Sequence, residues 1–222
     1  MTRIVLIAVW LAILTLGVAG RAWLPANADV SWLLTVVEKW LDGGRLYIDM
    51  LENNPPMAVY LYAPEVLLGR ALSISPERMV DIFVFGLGAL SVLWSGARLP
   101  REVADAGSAR PFLAPAAFAI IAVMPAFTFG EREHFALIFF LPWLAMSIRR
   151  AQGASVNRID SVVAGVAGGL VVSIKPHFAL ALLAASAAAA IQVRSWRPIF
   201  ALENWVAGAL VAAYLALSLI HI

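Results

Sequence analysis

The strongest constraint on this chain is its series of apolar runs: 4–20, 57–71, 79–97, 112–128, 135–148, 161–174, 177–193 and 201–220. In hydrocarbon, every backbone polar group must be satisfied within the protein, so runs of this kind cross a bilayer as α-helices. A perpendicular crossing takes about 20 residues. Runs 57–71, 135–148 and 161–174 are shorter, and they read as kinked, half-buried or re-entrant helices. Pro64, Pro125, Pro142 and Pro176 lie in or beside these runs. Broken backbone at that depth is tolerated only inside protein or against a water-filled cavity. Composition agrees, at 62% hydrophobic and 14% charged residues. Soluble domains lie near half and a quarter. The expectation is an all-α, polytopic transmembrane helical bundle forming a single domain over 1–222, with about seven or eight segments and a charged outer loop at 21–56.

Several functions are excluded early. Cysteine is absent, which removes disulfides, thiolate metal sites and cysteine nucleophiles. No GxGxxG, P-loop or HExxH pattern occurs, so nucleotide hydrolysis and zincin chemistry have no support. The net charge of +2 comes mostly from arginine in short loops. That is a topology signal and gives no hint of nucleic acid.

Charge also sets orientation. Met1-Thr2-Arg3 and the apolar run after it imitate a signal peptide, but the run exceeds a usual h-region. It reads as a first span with a cytoplasmic N-terminus. Loops carrying Arg149, Arg150 and Arg158, and Arg194 with Arg197, are expected to be cytoplasmic. Lys175-Pro176-His177 then turns on the opposite side. Counting back places Arg98, Arg101 and Arg110 inside, which requires that 57–71 not fully cross. At the far end, 201–222 stops without a polar tail and reads as the end of a fragment, and the closing SLIHI resembles translated adapter sequence. The AGVAGG stretch at 164–169 and the alanine run 184–190 are expected to pack helices closely. Trp94, Trp143, Trp196 and Trp205, near run ends, are expected in interfacial belts.

The segment Asp29–Tyr60, DVSWLLTVVEKWLDGGRLYIDMLENNPPMAVY, is different. It gathers Asp29, Glu38, Lys39, Asp42, Arg45, Asp49 and Glu52 between two apolar runs. Ionisable groups beside a bilayer are costly and usually functional. The simpler alternative is an interfacial amphipathic helix with solvated charges. Gly43-Gly44 is expected to end that helix, and Asn54-Pro55-Pro56 to lead into the next run in extended form. Two further polar clusters, Glu131-Arg132-Glu133-His134 and Lys175-Pro176-His177, fall on the same outer face in this topology. Lys175 is one of two lysines in the chain. Charged among apolar residues, it needs an anion such as a lipid phosphate, or it snorkels to the interface.

An acid soon after the first span, then Gly44-x-x-Tyr47-x-Asp49, then Pro55-Pro56, resembles the first outer loop of the GT-C glycosyltransferases. The resemblance is to the family of protein O-mannosyltransferases and lipid A aminoarabinose transferases. It covers about the first 100 residues; FGEREHFALIFFLPWL and SIKPHFALALL resemble segments of bacterial GT-C-like proteins. Asn54 stands where that family often has a lysine on the donor phosphate. The resemblance implies an enzyme of the bacterial inner membrane. It would move a sugar, with inversion, from a polyprenyl-phosphate lipid to an acceptor on the extracytoplasmic face.

Such a transfer needs a base for the acceptor and donors for the departing phosphate. Asp29 is the expected base; its plainer role is to cap the helix that follows. Asp49 is the second catalytic candidate. It lies three residues from Glu52, so a short helix would put both on one face. There they would position a hydroxyl or bind a divalent cation, the one cofactor class this chemistry suggests. Glu52, Asn54, Arg132, His134, Lys175 and His177 are the substrate-binding candidates, with Arg132 as a bidentate phosphate donor. The alternatives are a transporter or lipid flippase, whose mark would be an internal repeat, and a non-catalytic membrane subunit. Partners in the first reading are the polyprenyl-phosphate sugar lipid and membrane lipids.

Overall fold

The computed structural model describes residues 2–99 and 111–221. These residues form ten α-helices: α1 (Thr2–Trp23), α2 (Ala28–Leu41), α3 (Met57–Tyr60), α4 (Ala63–Leu72), α5 (Pro76–Arg98), α6 (Leu113–Ala122), α7 (Arg132–Ala151), α8 (Arg158–Ile174), α9 (Ala179–Gln192) and α10 (Leu202–His221). One-turn 3-10 helices lie at Ala126–Thr128 and Pro176–Phe178. Among the described residues the only extended pairing is an isolated bridge between Leu46 and Met50. The all-helical expectation therefore holds.

Among the described residues, three helices are long and apolar enough to cross a membrane: α1 over Arg3–Trp23, α5, and α10 over Leu202–Leu219. The run 57–71 does break. It yields α3 and the ten-residue α4, about 15 Å long and roughly half a hydrocarbon core. Neither reaches the length of a crossing helix. Arg101 and Arg110, on which that argument also leans, lie outside the described residues.

The chain packs as two compact units. The first comprises residues 1–89, 118–135 and 216–222. Its core is centred on α2, whose Val30, Leu33, Leu34, Val36 and Val37 are all buried. That spacing is one face of a helix. Ala58, Val59, Tyr62 and Val66 of α3 and α4 are buried with them. Each such side chain contributes about 1.5–3 kcal/mol. Helix α2 ends where expected, with Gly43 at φ +96° and the Gly44 N–H bonded to the Lys39 carbonyl. A Cβ on Gly44 would sit 2.8 Å from that carbonyl oxygen. Arg70 of α4 then binds Asp42 and the Glu38 carbonyl, tying down the same helix end. Helices α1, α5 and α6 approach closely because Gly17 and Gly88 carry no side chain. A Cβ on Gly17 would stand 2.9 Å from the Phe85 ring, and one on Gly88 would stand 2.8 Å from Ile121.

The second unit comprises 90–117 and 136–215. The expected close packing at 164–169 is present. A Cβ on Gly165 would lie 2.6 Å from Val206, one on Gly169 would lie 3.0 Å from Leu210, and one on Gly168 would run into the Trp143 ring. Trp143 thereby departs from the belt expectation. It is buried, because Gly168 leaves an indole-sized gap, whereas Trp196 and Trp205 are exposed. Pro142 stands inside α7 and has no N–H for the carbonyl one turn back, that of Ile138. The buried Ser91 hydroxyl donates to that carbonyl at 2.6 Å. Arginines of the expected cytoplasmic loops are tied down: Arg98 to Asp160 at 2.6 Å and Arg150 to Glu203 at 2.9 Å.

Candidate functional site

The site lies in the first unit and is built from the helix starts outward. Asn27 caps α2, accepting from the Asp29 N–H at 2.7 Å. The cap role considered for Asp29 therefore belongs to Asn27. Asp29 occupies the first turn, where a carboxylate is favoured by the helix dipole, and its side chain is available for something else. It binds Arg132: Nη2 donates to Asp29 Oδ2 at 3.0 Å. Arg132 Nη1 donates to the Asn54 side-chain oxygen. Asn54 is held in turn by Glu52, whose Oε1 accepts from the Asn54 backbone N–H at 2.8 Å and from its side-chain amide. Glu52 Oε2 takes the Trp32 indole N–H at 2.8 Å, and the Tyr47 hydroxyl donates to the Asn54 carbonyl.

The result is a continuous chain of contacts, Trp32–Glu52–Asn54–Arg132–Asp29. It joins two of the three polar clusters across more than a hundred residues of sequence. Its two ends are the exposed parts. Glu52 and Arg132 are 6% and 8% exposed, while the Asp29 side chain is 38% exposed and Trp32 45%. Asp29 Oδ2 faces the arginine, and the carboxylate is partly open to water. Arg132 Nε is buried without a hydrogen-bond partner. Arg132 is the cation beside Asn54.

Arg132 is aimed by the turn before α7. Gly130 has φ +79°, and a Cβ there would meet Val80 at 2.6 Å. The Tyr62 hydroxyl donates to the Gly130 carbonyl at 2.8 Å, and the Gly130 N–H donates to His134 Nδ1 at 3.1 Å. Burial pushes the Tyr62 phenol well above its ordinary range, so it stays a donor. His134 is 5% exposed. Burial lowers its pKa to about 4, with the Ile121 carbonyl opposing. A neutral ring is what the Nδ1 acceptor role requires. His134 Nε2 has no partner within hydrogen-bond distance. His134 thus shapes the turn that carries Arg132, and Glu65 of α4 adds a second buried titratable group. Glu65 is 1% exposed with Oε2 unpartnered, and burial raises its carboxyl to about 7 against a bond from its own N–H.

The remaining candidates lie elsewhere. No helix forms over Asp49 and Glu52, so the expected shared face does not exist. Asp49 is exposed and closes a local turn with Arg45, accepting from its backbone N–H at 2.9 Å and its guanidinium at 3.1 Å. Those bonds hold the Asp49 carboxyl below its usual range. Lys175 and His177 belong to the second unit. Lys175 separates α8 from the following 3-10 turn in extended backbone (φ −146°, ψ 115°), and the exposed His177 ring packs on Phe178 at 4.6 Å. Among the described residues, no group of three or more His, Asp or Glu is placed to hold a metal ion. Sequence reasoning missed Asn27, Trp32, Tyr62 and Gly130. An Asn directly before an apolar-periodic helix was a readable cap signal, whereas Tyr62 and Gly130 carried none. The chain matches no protein-family model, no curated protein and no solved structure.

Proposed function

We propose that this chain is a membrane glycosyltransferase module that moves a sugar from a polyprenyl-phosphate donor to an acceptor hydroxyl outside the cytoplasm. The observation that carries this reading is the Asp29–Arg132 pair, a partly exposed carboxylate held on a buried guanidinium. In the proposed step the acceptor O–H gives its proton to Asp29. The acceptor oxygen bonds to the anomeric carbon while the bond from that carbon to the phosphate oxygen breaks. The lipid phosphate leaves with the electron pair, and Arg132 is the proposed cation for it. Glu52 and Asn54 position Arg132, and His134 holds the turn beneath it. Asp49 and His177 are assigned no role in this step, since both are exposed and Asp49 is committed to Arg45.

Asp29→Asn is the decisive variant, because an amide oxygen still accepts from Arg132 while the base is lost. In proteoliposomes given a panel of polyprenyl-phosphate hexoses, transfer should fall by about 10²–10⁴-fold, the usual worth of a general base. Full transfer by Asp29→Asn would end the mechanism. A second reading also has an observation behind it: both Arg132 Nη groups are already bonded within the protein. That fits a non-catalytic subunit in which the network is a strut. On that reading the wild type transfers no sugar from any donor of the panel.

A further inference from the structure

Away from the Asp29–Arg132 network, the first unit contains a cavity of about 760 Å³ at the C-terminal end of α1 and the N-terminal end of α5. Both helices are among the three long and apolar enough to cross a membrane, so the cavity opens where two spans meet the interface. Its lining has two zones. Val18, Leu24, Ile82 and Phe85 form apolar walls, and Val18 and Ile82 are more than half exposed. Only 6% of the α1 span is buried inside the protein, so these walls continue an exposed apolar surface. The polar zone starts with Arg21, paired with Asp81 at 2.8 Å and stacked over the Phe129 ring at 4.8 Å. That pair is neutral and fully engaged.

Glu77 and Arg78 are different. Both line the cavity, they carry opposite charges, and neither side chain is in an ion pair among the described residues. They sit in the first turn of α5, whose dipole favours an anion; Pro76 has no N–H, and the Arg78 and Met79 N–H groups are bonded to Ser75. A cavity of this size accommodates a small organic ligand. Apolar walls beside one uncommitted cation and one uncommitted anion complement an amphiphile whose head carries both charges.

We propose that this cavity is a binding site for a zwitterionic phospholipid of the phosphatidylethanolamine type. Arg78 takes the phosphate, Glu77 takes the ammonium, and the chains lie along Val18 and Ile82. The site is independent of the glycosyltransferase reading. An anionic headgroup leaves Glu77 facing like charge, and a head without phosphate leaves Arg78 without an anion.

The test is lipid titration of the detergent-purified protein by native mass spectrometry. The probes are phosphatidylethanolamine, phosphatidylglycerol and diacylglycerol with identical chains. Phosphatidylethanolamine should bind about tenfold tighter than phosphatidylglycerol, the factor that one charge-assisted contact is worth. Glu77→Gln should bring the two phospholipids to parity, and Arg78→Gln should bring both down to diacylglycerol. Both positions are at the surface of the cavity mouth, and circular dichroism of each variant checks that helix content is retained. Equal binding of all three lipids by the wild type would overturn the proposal. So would a preference for phosphatidylglycerol, or unchanged selectivity in either variant.

Discussion

At the scale of single residues, two buried titratable groups in the first unit pull stability in opposite directions. His134 is neutral in the fold, with a pKa of about 4. Between about pH 4 and 6.5 the unfolded chain therefore binds a proton there that the folded chain does not, and stability rises with pH. Glu65 has a folded pKa of about 7 against 4.5. Between those values the folded chain holds the extra proton, and stability falls as pH rises. From about 4.5 to 6.5 the two slopes, each at most about 1.4 kcal/mol per pH unit, nearly cancel. Single variants should unmask them. His134→Asn, which keeps an acceptor for Gly130, should lose stability from pH 4.5 to 7; Glu65→Gln should gain it from pH 4 to 6.5. Denaturation midpoints across that range decide the matter, and parallel profiles would refute the assignment. Neither shift was legible in the sequence. His134 read as a substrate-binding candidate, and only the packing around α4 and the Gly130 turn desolvates both residues.

Elements were more legible than residues, because apolar length and breakers act locally. The helix end at Gly43-Gly44 and the glycine packing of α8 follow from the absence of a side chain. The splitting of 57–71 follows from its short length and its proline at the start of α4. The helix expected over Asp49–Glu52 failed for an equally local reason. Arg45 and Asp49 close a turn by themselves, Tyr47 takes a positive φ of 67°, and Asn54 before Pro55 is steered away from helical backbone. The long-range partner of a breaker is what sequence hides. Pro142 announces a lost hydrogen bond, but nothing announces Ser91, 47 residues from Ile138, as its substitute. Ser91→Ala should therefore cost about 1–3 kcal/mol by leaving the Ile138 carbonyl buried and unsatisfied. Pro142→Ala supplies an N–H to the same carbonyl, so the double variant should recover most of that loss. A double-variant cycle by chemical denaturation reads this directly, and strictly additive costs would show that the two residues do not share the carbonyl.

For the whole molecule, the functional reading rests on a shared face, and the structure supports part of that convergence. The 21–56 loop and the start of α7 are bonded to each other within one unit, whereas Lys175 belongs to the other. Membrane sidedness is therefore the remaining requirement, and it is measurable because the chain has no native cysteine. Arg132 is a poor reporter, being buried beneath Asp29, but Asp49, Glu133 and His177 are all exposed. Single cysteines at these three positions, treated in intact cells with an impermeant thiol reagent, should all react from outside. Asp49 and Glu133 must agree with each other, since the Asp29–Arg132 bond fixes their two segments on one side. His177 is the discriminating position. Labelling there without permeabilisation supports the orientation assigned to the loops of Arg149, Arg150 and Arg158. Labelling only after permeabilisation reverses that orientation.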